Sequence, residues 1–272
     1  MREAPRLLDR FDVIQGLLTS ASMGLLTDID GTISKIAPSP SEARVSEVCR
    51  DSLSLLSKHL PLVAAVSGRP AAEARRMVGV EGMVYVGNHG LDRWEGGGVR
   101  LAAGAEGYPA VIADVLSDLK QTLFIDGLLV ENKGVTASLH YRRCGDHSAA
   151  RKAILAAVEG LAGARNLKVT EGRMVIELRP PLEIDKGSAV CSLIRERGLE
   201  AAVYLGDDST DADVFRAFHE RDAGFRGLGV GVVSAETPDA VVENADFVLQ
   251  GVSEVGQFLR QLAEEVAGRP DS

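Results

Sequence analysis

The chain has 272 residues, enough for one large domain or two smaller ones, each with an apolar core. Its hydrophobic fraction of 45% is ordinary for a globular protein, and its formal net charge of -9 argues against nucleic-acid or membrane-surface binding. Its three cysteines are scattered, as is typical of a reducing cytosol. We find no apolar run long enough to cross a bilayer and no secretory leader, and we expect a cytoplasmic monomer.

The first 90 residues are predicted to alternate between helices and strands. Apolar residues at helical spacing predict a helix over 5–18. Ser39 or Ser41 is expected to cap a second helix that ends near His59, and Pro70 to open a third. Such alternation indicates a doubly wound parallel sheet, which binds ligands at the carboxyl ends of its strands. Three predicted strands end in polar residues: one before Asp28, one over 62–66 before Ser67, and one over 83–86 before Asn88.

The pattern changes after Trp94. Residues 94–104 are rich in glycine and are expected to form a linker between domains. Beyond them the predicted helices and strand pairs no longer alternate one for one. We therefore expect a Rossmann-like α/β core over 1–104 and 184–272, with a separate α+β unit inserted over 105–183.

The predicted sheet of this insertion has one apolar and one polar face. Residues along its strands alternate between the two, so helices are expected to cover the apolar side. For an isolated antiparallel sheet, the simpler interpretation of the polar side is a solvated surface. The residues expected on that side include Glu131, Lys133, His140, Arg142, Arg173 and Glu177.

After 180–181 the chain returns to the earlier pattern. A helix is predicted from Lys186 to Glu196. The strand that follows ends in Gly206-Asp207-Asp208, and the next helix is expected to be capped by Thr210. Two short strands, over 229–233 and 247–249, and a helix over 253–266 close the chain.

Several carboxylates are expected at the ends of core strands. Asp28 and Asp30 share one side of the chain by the period-2 alternation, and taken alone they are equally consistent with an Asp-Gly turn. Up to five carboxylates beside Lys186 would, however, repel one another without a cation. An all-oxygen ligand set favours Mg²⁺ over zinc. These carboxylates are Asp28, Asp30, Asp207, Asp208 and Asp211.

These residues resemble the motifs of the haloacid dehalogenase (HAD) superfamily of phosphatases. In the order of that superfamily, the first to fourth motifs are matched by Asp28-Ile29-Asp30-Gly31-Thr32, Ser67, Lys186 and Gly206-Asp207-Asp208. Over about 25–249 the chain is also similar to trehalose-6-phosphate phosphatases, and the inserted unit takes the place of their cap. That similarity is carried by Ser67-Gly68-Arg69, Gly87-Asn88-His89-Gly90, Glu177-Leu178-Arg179-Pro180 and Gly206-Asp207-Asp208-Ser209-Thr210-Asp211.

The resemblance implies a role for each matched residue. Asp28 would attack phosphorus, and Asp30 would act first as general acid and then as general base. Mg²⁺ would be held by Asp28, the backbone carbonyl of Asp30 and Asp207. Asp208 is a further candidate ligand, expected with Asp211 to orient metal-bound water or Lys186. The phosphoryl oxygens would be held by Lys186, Ser67 and Thr32.

The polar face of the insertion would bind sugar hydroxyl groups if it faces this site. Each candidate there is as well explained as a solvated strand residue. Taken alone, Lys186 is explained as a surface charge and Ser67 as a helix cap. The candidate sugar contacts from the insertion are Glu131, Lys133, His140, Arg142, Glu171, Arg173 and Glu177. Arg69, Asn88 and His89 would meet the sugar or the phosphate from the core side.

The resemblance therefore implies a Mg²⁺-dependent hydrolase of trehalose 6-phosphate, a small sugar phosphate. One alternative is the same chemistry on another sugar phosphate, such as a glucosylglycerol, sucrose or mannosylglycerate phosphate, or a phosphomutase. An alternative of another class is a non-catalytic sugar-phosphate sensor. The intact pair of Asp28 and Asp30 argues against the sensor.

Overall fold

The chain divides into two units, which a computed structural model describes over residues 4–37, 42–172, 174–220, 224–235 and 237–269. Met1–Val99 and Ile184–Ser272 form the core unit, and Arg100–Glu183 form the inserted unit. None of the helices within these described ranges is long and apolar enough to span a membrane.

The secondary-structure elements are numbered in chain order. The described strands are β1 (Met23–Thr27), β2 (Leu62–Val66), β3 (Val84–Gly87), β4 (Asp92–Glu95), β5 (Gly98–Leu101), β6 (Leu129–Asn132), β7 (Ala137–His140), β8 (Lys168–Gly172), β9 (Val175–Arg179), β10 (Ala201–Gly206), β11 (Arg226–Val233) and β12 (Phe247–Gln250). The described α-helices are α1 (Asp12–Leu17), α2 (Glu47–His59), α3 (Ala71–Val78), α4 (Tyr108–Thr122), α5 (His147–Ala164), α6 (Lys186–Glu196), α7 (Ala212–His219), α8 (Asp239–Asn244) and α9 (Gly251–Ala267). Short 3-10 helices cover Leu7–Arg10 and Asn88–Gly90.

The core unit is built on a mostly parallel sheet of eight described strands, in the order β12-β11-β10-β1-β2-β3-β4-β5. The chain moves from β1 to β2 on one side and later returns to β10 on the other, which makes β1 the point where the strand order reverses. Ligands of such sheets bind beyond the carboxyl ends of the strands at this point. The predicted α/β fold is confirmed.

Both faces of this sheet are covered by helices, which explains why its central strands are continuous apolar runs. Leu25 packs in a cluster with residues of α1, α2, α3 and α9, whereas the next residue, Leu26, packs with α6, α7 and α8 on the opposite face. Every residue of β1, β2 and β10 is buried. Parallel strands covered on both faces have this pattern.

The N-terminal segment differs from the predicted helix over 5–18. Arg6 is extended and bridges Val248 in β12, with the Val248 amide donating to the Pro5 carbonyl at 2.9 Å. A helix therefore cannot begin at Pro5, and the segment forms the first 3-10 helix and then α1. Helix α2 begins only at Glu47. The expected caps Ser39 and Ser41 lie outside the described residues.

The expected linker over 94–104 is wrong in its first part. Gly96 and Gly97 form the two-residue turn of a hairpin between β4 and β5, which extends the core sheet. Their φ values of 61° and 93° are those of a type I′ turn, which matches the twist of the flanking strands. The Gly96-Gly97 pair therefore indicates a hairpin turn and not a linker between domains.

The inserted unit contains an antiparallel sheet of four described strands, in the order β6-β7-β9-β8. Helices α4 and α5 pack on its apolar face, where Leu139 and Ile176 from adjacent strands join a cluster with Val115 and Ile154. This cluster gives the inserted unit a core of its own. The alternation of apolar and polar faces is as expected from the sequence.

Candidate active site

The site is built at the carboxyl end of β1, beside β10. The Asp28 amide donates to the Leu205 carbonyl at 2.8 Å and so continues the pairing of the two strands. The chain then turns tightly at Gly31, where φ is 90° and an added Cβ would overlap the Asp207 carboxylate. Glycine at this position therefore allows the first and last acidic motifs to meet.

Lys186 lies buried between two carboxylates. Its Nζ donates to Asp28 Oδ1 at 2.9 Å and to Asp211 Oδ1 at 2.7 Å. Burial alone would lower the pKa of Lys186, but the charges of Asp211 and Asp28 and their hydrogen bonds raise it above its usual value. The ammonium therefore stays charged and fixes the Asp28 carboxylate.

Asp211 is completely buried and uses both oxygens within the protein. Oδ1 accepts from Lys186 and, at 2.7 Å, from the Tyr204 hydroxyl. Oδ2 accepts from the backbone amides of Asp207 and Asp208 at 3.0 and 2.9 Å. Four donors fill the lone pairs of a carboxylate, so the geometry favours Asp211 as the residue that orients Lys186.

The expected cap of α7 by Thr210 is wrong. The helix begins at Ala212, Asp211 occupies the N-cap position, and no side chain there accepts a capping hydrogen bond. Because the Asp211 carboxylate turns back to Lys186, it is not available to the helix. Within the described residues, the buried Thr210 hydroxyl has no hydrogen-bond partner.

Carboxylate oxygens of Asp28, Asp207 and Asp211 lie within 4.8 Å of one another, a cluster found by searching the described residues. The Thr32 hydroxyl donates to Asp207 Oδ1 at 2.9 Å. The Asp208 carboxylate accepts instead from the backbone amide of Ser209 at 2.7 Å. Asp208 is not part of this cluster, and its role as a further ligand stays a prediction.

Burial dominates the electrostatics of this cluster. It raises the pKa of Asp28 well above its usual value, against the opposing charge of Lys186. Burial, followed by the charge of Asp211, raises the pKa of Asp207 to about 7, while the hydrogen bond from Thr32 opposes the shift. A single ammonium faces three carboxylates, so the cluster has room for further positive charge.

Ser67 and Arg69 follow β2, the neighbour of β1. The buried Ser67 hydroxyl accepts from the Arg69 amide at 3.2 Å. The Arg69 guanidinium does not stand free: Nε and Nη2 donate to the two oxygens of Asp30 at 2.6 and 2.8 Å, and Nη1 pairs with Glu73. Arg69 was expected to meet sugar or phosphate, but in this structure it holds two carboxylates.

Asn88 and His89 follow β3 with left-handed φ values of 48° and 55°. Asn88 is completely buried and its amide donates to Asp92 at 3.2 Å. In this structure the Asn88 side chain supports the turn, and its expected contact with the sugar or the phosphate stays a prediction. The His89 amide donates to the Ser67 carbonyl at 3.0 Å, and an added Cβ at Gly68 would meet the His89 ring. His89 thus packs directly on the Ser67 loop.

The polar face of the inserted sheet carries paired groups. His140 Nε2 lies 3.1 Å from Glu131 Oε2, within hydrogen-bond distance. Glu177 accepts from Lys133 at 3.4 Å and from Ser138 at 3.0 Å. These side chains are partly buried, with about 10% of Lys133 and 19% of Glu177 exposed. Four of the predicted sugar contacts therefore form two paired groups on this polar surface.

The other three candidates of the inserted unit do not join this surface in the structure. β7 ends at His140, so Arg142 lies in the exposed turn that follows and not on the strand. Glu171 is opposite the apolar Ile176 and pairs with Arg151 of α5, which places it on the helix-covered face. The expected position of Arg142 on the strand is therefore wrong, whereas the sugar contacts of both residues stay predictions. Arg173 lies outside the described residues.

Comparison with known families decides which family this is. Residues 26–253 match the family model described as trehalose-phosphatase, which is most of the chain. The chain belongs to the trehalose-phosphatase family. It is therefore a phosphoric monoester hydrolase.

Individual relatives of this trehalose-phosphatase family member agree with the match. Trehalose-phosphate phosphatase B of Arabidopsis thaliana is 32% identical over 277 residues, which cover 96% of this chain and 71% of the relative. Among solved structures, the C-terminal domain of C. albicans trehalose-6-phosphate phosphatase has a TM-score of 0.76 at 24% identity, over 96% of this chain and 99% of that one. A haloacid dehalogenase-like hydrolase from Bacteroides thetaiotaomicron has a TM-score of 0.63 at 16% identity, over 89% and 99%. The two structures support the HAD fold.

Some residues that build the site of this trehalose-phosphatase family member were missed in the sequence. Tyr204 could have been predicted to contact a polar group of the site, because a hydroxyl in an otherwise apolar strand needs a hydrogen-bond partner. Ser138 alternates with buried apolar residues and offered a similar indication. Glu73 and Asp92 gave none, since an acidic residue in a first helical turn or after a 3-10 turn is ordinary.

Proposed function

We propose that this chain hydrolyses trehalose 6-phosphate to trehalose and phosphate, with Mg²⁺ and through an aspartyl-phosphate on Asp28. The observation that carries the proposal is the buried Lys186, which holds Asp28 next to Asp207 where the strand order reverses. The substrate is proposed because a relative that is 32% identical is named a trehalose-phosphate phosphatase.

The first half of the reaction uses Asp28 as nucleophile and Asp30 as acid. A carboxylate oxygen of Asp28 attacks phosphorus, the bond between phosphorus and the sugar oxygen breaks, and Asp30 gives its proton to that oxygen. Trehalose leaves as a neutral alcohol. Lys186 prepares this step because its hydrogen bond to Oδ1 holds the Asp28 carboxylate in place.

The second half restores the enzyme. A water molecule attacks the phosphorus of the aspartyl-phosphate and gives a proton to the Asp30 carboxylate, and the bond between phosphorus and Asp28 breaks. Phosphate leaves, and the Asp28 carboxylate and the Asp30 acid are regenerated. The phosphoryl oxygens are held throughout by Lys186 and by the Ser67 hydroxyl, whose oxygen already accepts from the Arg69 amide.

The chain offers suitable donors for Mg²⁺. Asp28 and Asp207 have carboxylate oxygens in the cluster, and the backbone carbonyl of Asp30 is the third expected donor. Asp211 is excluded because its lone pairs are filled, and Thr32 supports Asp207 through its hydroxyl. When bound, the ion neutralises charge on the phosphoryl group during transfer.

The inserted unit is proposed to recognise the sugar. Its polar face presents donors and acceptors from Glu131, Lys133, His140 and Glu177, a set that suits the hydroxyl groups of a disaccharide. Their mutual hydrogen bonds hold these side chains in position before a ligand arrives, which reduces the entropy lost on binding.

The proposal is tested by phosphate release from a panel of sugar phosphates. With Mg²⁺, kcat/KM should be highest for trehalose 6-phosphate and lower for glucosylglycerol, sucrose and mannosylglycerate phosphates. Chelation with EDTA should abolish turnover, and Mg²⁺ should restore it. Asp28→Asn should be inactive. Indifference to trehalose 6-phosphate would refute the substrate, and an active Asp28→Asn would refute the aspartyl-phosphate.

A further inference from the structure

We infer that Arg69, braced by Glu73, is the positioning residue that holds the Asp30 carboxyl group where it exchanges protons with the sugar oxygen and with water. The inference rests on the proposed function, in which Asp30 is the acid and base. It assigns Arg69 to Asp30 and not to the substrate.

The contact between Arg69 and Asp30 is bidentate. Nε and Nη2 of one guanidinium edge donate to the two carboxylate oxygens at 2.6 and 2.8 Å. Two parallel hydrogen bonds fix the plane of the carboxylate as well as its position, which a single contact cannot do. The Arg69 side chain is only 11% exposed, so little water competes for these hydrogen bonds.

Asp30 needs such a partner. Its side chain is 35% exposed, and within the described residues the donors to its carboxylate are those of Arg69. The next residue is Gly31 at a φ of 90°, so the backbone leaves the strand at this point. Asp28, by contrast, is buried and held by Lys186. A proton donor must lie within hydrogen-bond reach of the leaving oxygen, so loss of position lowers the rate.

Arg69 is itself held from several directions. Its amide donates to the Ser67 hydroxyl, and its carbonyl accepts from the Asn88 amide at 2.9 Å. Glu73, in the first turn of α3, pairs with the remaining guanidinium nitrogen. The negative charge of Glu73 offsets that of the guanidinium, so Asp30 faces a nearly neutral pair and not an isolated cation. Such support is what a precise catalytic geometry requires.

The competing interpretation is that Arg69 binds the phosphate or the sugar. The two interpretations differ in how Arg69→Ala responds to the leaving group. A sugar alcohol departs only with a proton, whereas 4-nitrophenolate departs without one. If Arg69 positions the acid, its loss should slow the hydrolysis of trehalose 6-phosphate selectively. If Arg69 binds the phosphate, its loss should slow the hydrolysis of both esters alike.

The experiment measures kcat/KM with Mg²⁺ for trehalose 6-phosphate and 4-nitrophenyl phosphate, because this ratio reports the steps up to departure of the leaving group. Arg69→Ala should lower it about 100-fold for the sugar phosphate, the low end of what a positioned acid contributes. The aryl ester should lose less than about threefold. Arg69→Lys cannot make the bidentate contact. This variant and Glu73→Gln should lower kcat/KM by smaller factors, again more for the sugar phosphate than for the aryl ester.

Two controls complete the test. Arg76→Ala removes an exposed arginine of α3, the helix that carries Glu73, and should leave both reactions unchanged. Adding Arg69→Ala to Asp30→Asn should cause no further loss, because residues that act through one another are non-additive. Thermal unfolding of each variant separates loss of activity from loss of folding.

Equal slowing of the two esters, or a further loss in the double variant, would overturn this inference and leave the proposed function intact. Failure of the unaltered chain to hydrolyse any phosphate ester would overturn the proposed function and the inference together. Activity of the unaltered chain on a different sugar phosphate would overturn only the substrate, and that ester would then replace trehalose 6-phosphate in the comparison.

Discussion

At the residue scale, the site depends on one buried ammonium that is shared by two buried carboxylates. Lys186 is 3% exposed and is shared by Asp28 and Asp211, which are 5% and 0% exposed. Removing one partner from such a group leaves an uncompensated buried charge, a loss of about 3–5 kcal/mol in other proteins. The Tyr204 hydroxyl supports the arrangement from within the sheet.

This role of Tyr204 can be measured against another buried tyrosine. Tyr204→Phe removes a hydrogen bond to a carboxylate and should lower the free energy of unfolding by about 1.5–3 kcal/mol. Tyr85→Phe removes only neutral hydrogen bonds, one donated to the Val80 carbonyl and one accepted from the Val80 amide, and should lower the free energy of unfolding less, by about 1 kcal/mol. Urea denaturation of both variants checks this, and equal losses would contradict the special role of Tyr204.

At this scale, the sequence predicted which residues of the candidate site lie close together, but not which side chains pair with one another. Strand ends and motif order brought Asp28, Ser67, Lys186 and Asp207 to one edge of the sheet. Spacing along the chain cannot decide which carboxylate a side chain selects. The partner of Lys186 in the last motif proved to be Asp211, and the guanidinium of Arg69 turned to Asp30. Such choices depend on rotamers and desolvation, which the sequence pattern does not contain.

At the element scale, the start of α6 places Lys186. Asp185 caps the helix by accepting from the Ser188 amide at 2.7 Å, while the Asp185 amide donates to the Ser188 hydroxyl at 3.0 Å. Because Lys186 is the first residue of α6, the cap also controls the direction in which its side chain leaves the helix.

Removal of this cap should therefore affect both stability and activity. Asp185→Ala should lower the free energy of unfolding by about 1 kcal/mol and reduce kcat, because the first turn frays. Asp185→Ser keeps a capping oxygen and should retain most of both properties. Denaturant titration and phosphate release check the pair. If Asp185→Ser lost as much stability and activity as Asp185→Ala, the charge of Asp185, and not its capping hydrogen bond, would be what matters.

Asp92 connects two elements beside the site and gives stability a pH dependence. Its carboxylate accepts from the Ala71 amide of α3 and from Asn88, and burial raises its pKa to about 6 against these hydrogen bonds. The folded state then binds more protons than the unfolded state between about pH 4 and 6, so this group makes stability fall as pH rises through that window. The fall should reach about 3 kcal/mol.

The prediction for Asp92 is checked by how the free energy of unfolding changes with pH, and not by its value at one pH. Asn at position 92 cannot titrate, so the free energy of unfolding of Asp92→Asn, relative to that of the parent, should rise by about 2.4 kcal/mol between pH 4 and 7. Urea denaturation across this range measures the difference. A constant offset between parent and variant would show that Asp92 titrates at its ordinary pKa.

Most core elements were predictable because periodicity and turn residues agreed with the final fold. Strand β2 and helix α3 occur where their patterns predicted. The hairpin at Gly96-Gly97 was missed because glycine-rich sequence also suits a linker, and only pairing with β3 distinguishes the two. The first helix was overextended because the edge of β12 recruits Arg6 into an extended bridge.

At the scale of the whole molecule, the N-terminal segment is part of the core unit. Leu7 and Ile14 are fully buried, and Arg6 makes an ion pair with Glu254 of α9. Leu7→Ala should therefore lower the free energy of unfolding by about 2–5 kcal/mol, whereas Leu8→Ala, at a half-buried position, should lower it much less. Thermal unfolding compares the two. Equal effects would mean that the segment packs loosely.

The pairing of β1 with β10 has a consequence for synthesis. Leu25 must find Val203, and every residue of the inserted unit is translated between them. The inserted unit closes its own sheet from nearby strands, so it can fold on the ribosome as soon as β9 has emerged. Until β10 follows, one edge of the nascent β1 has no strand to pair with, and an unpaired strand edge is where a partly folded chain can associate with another.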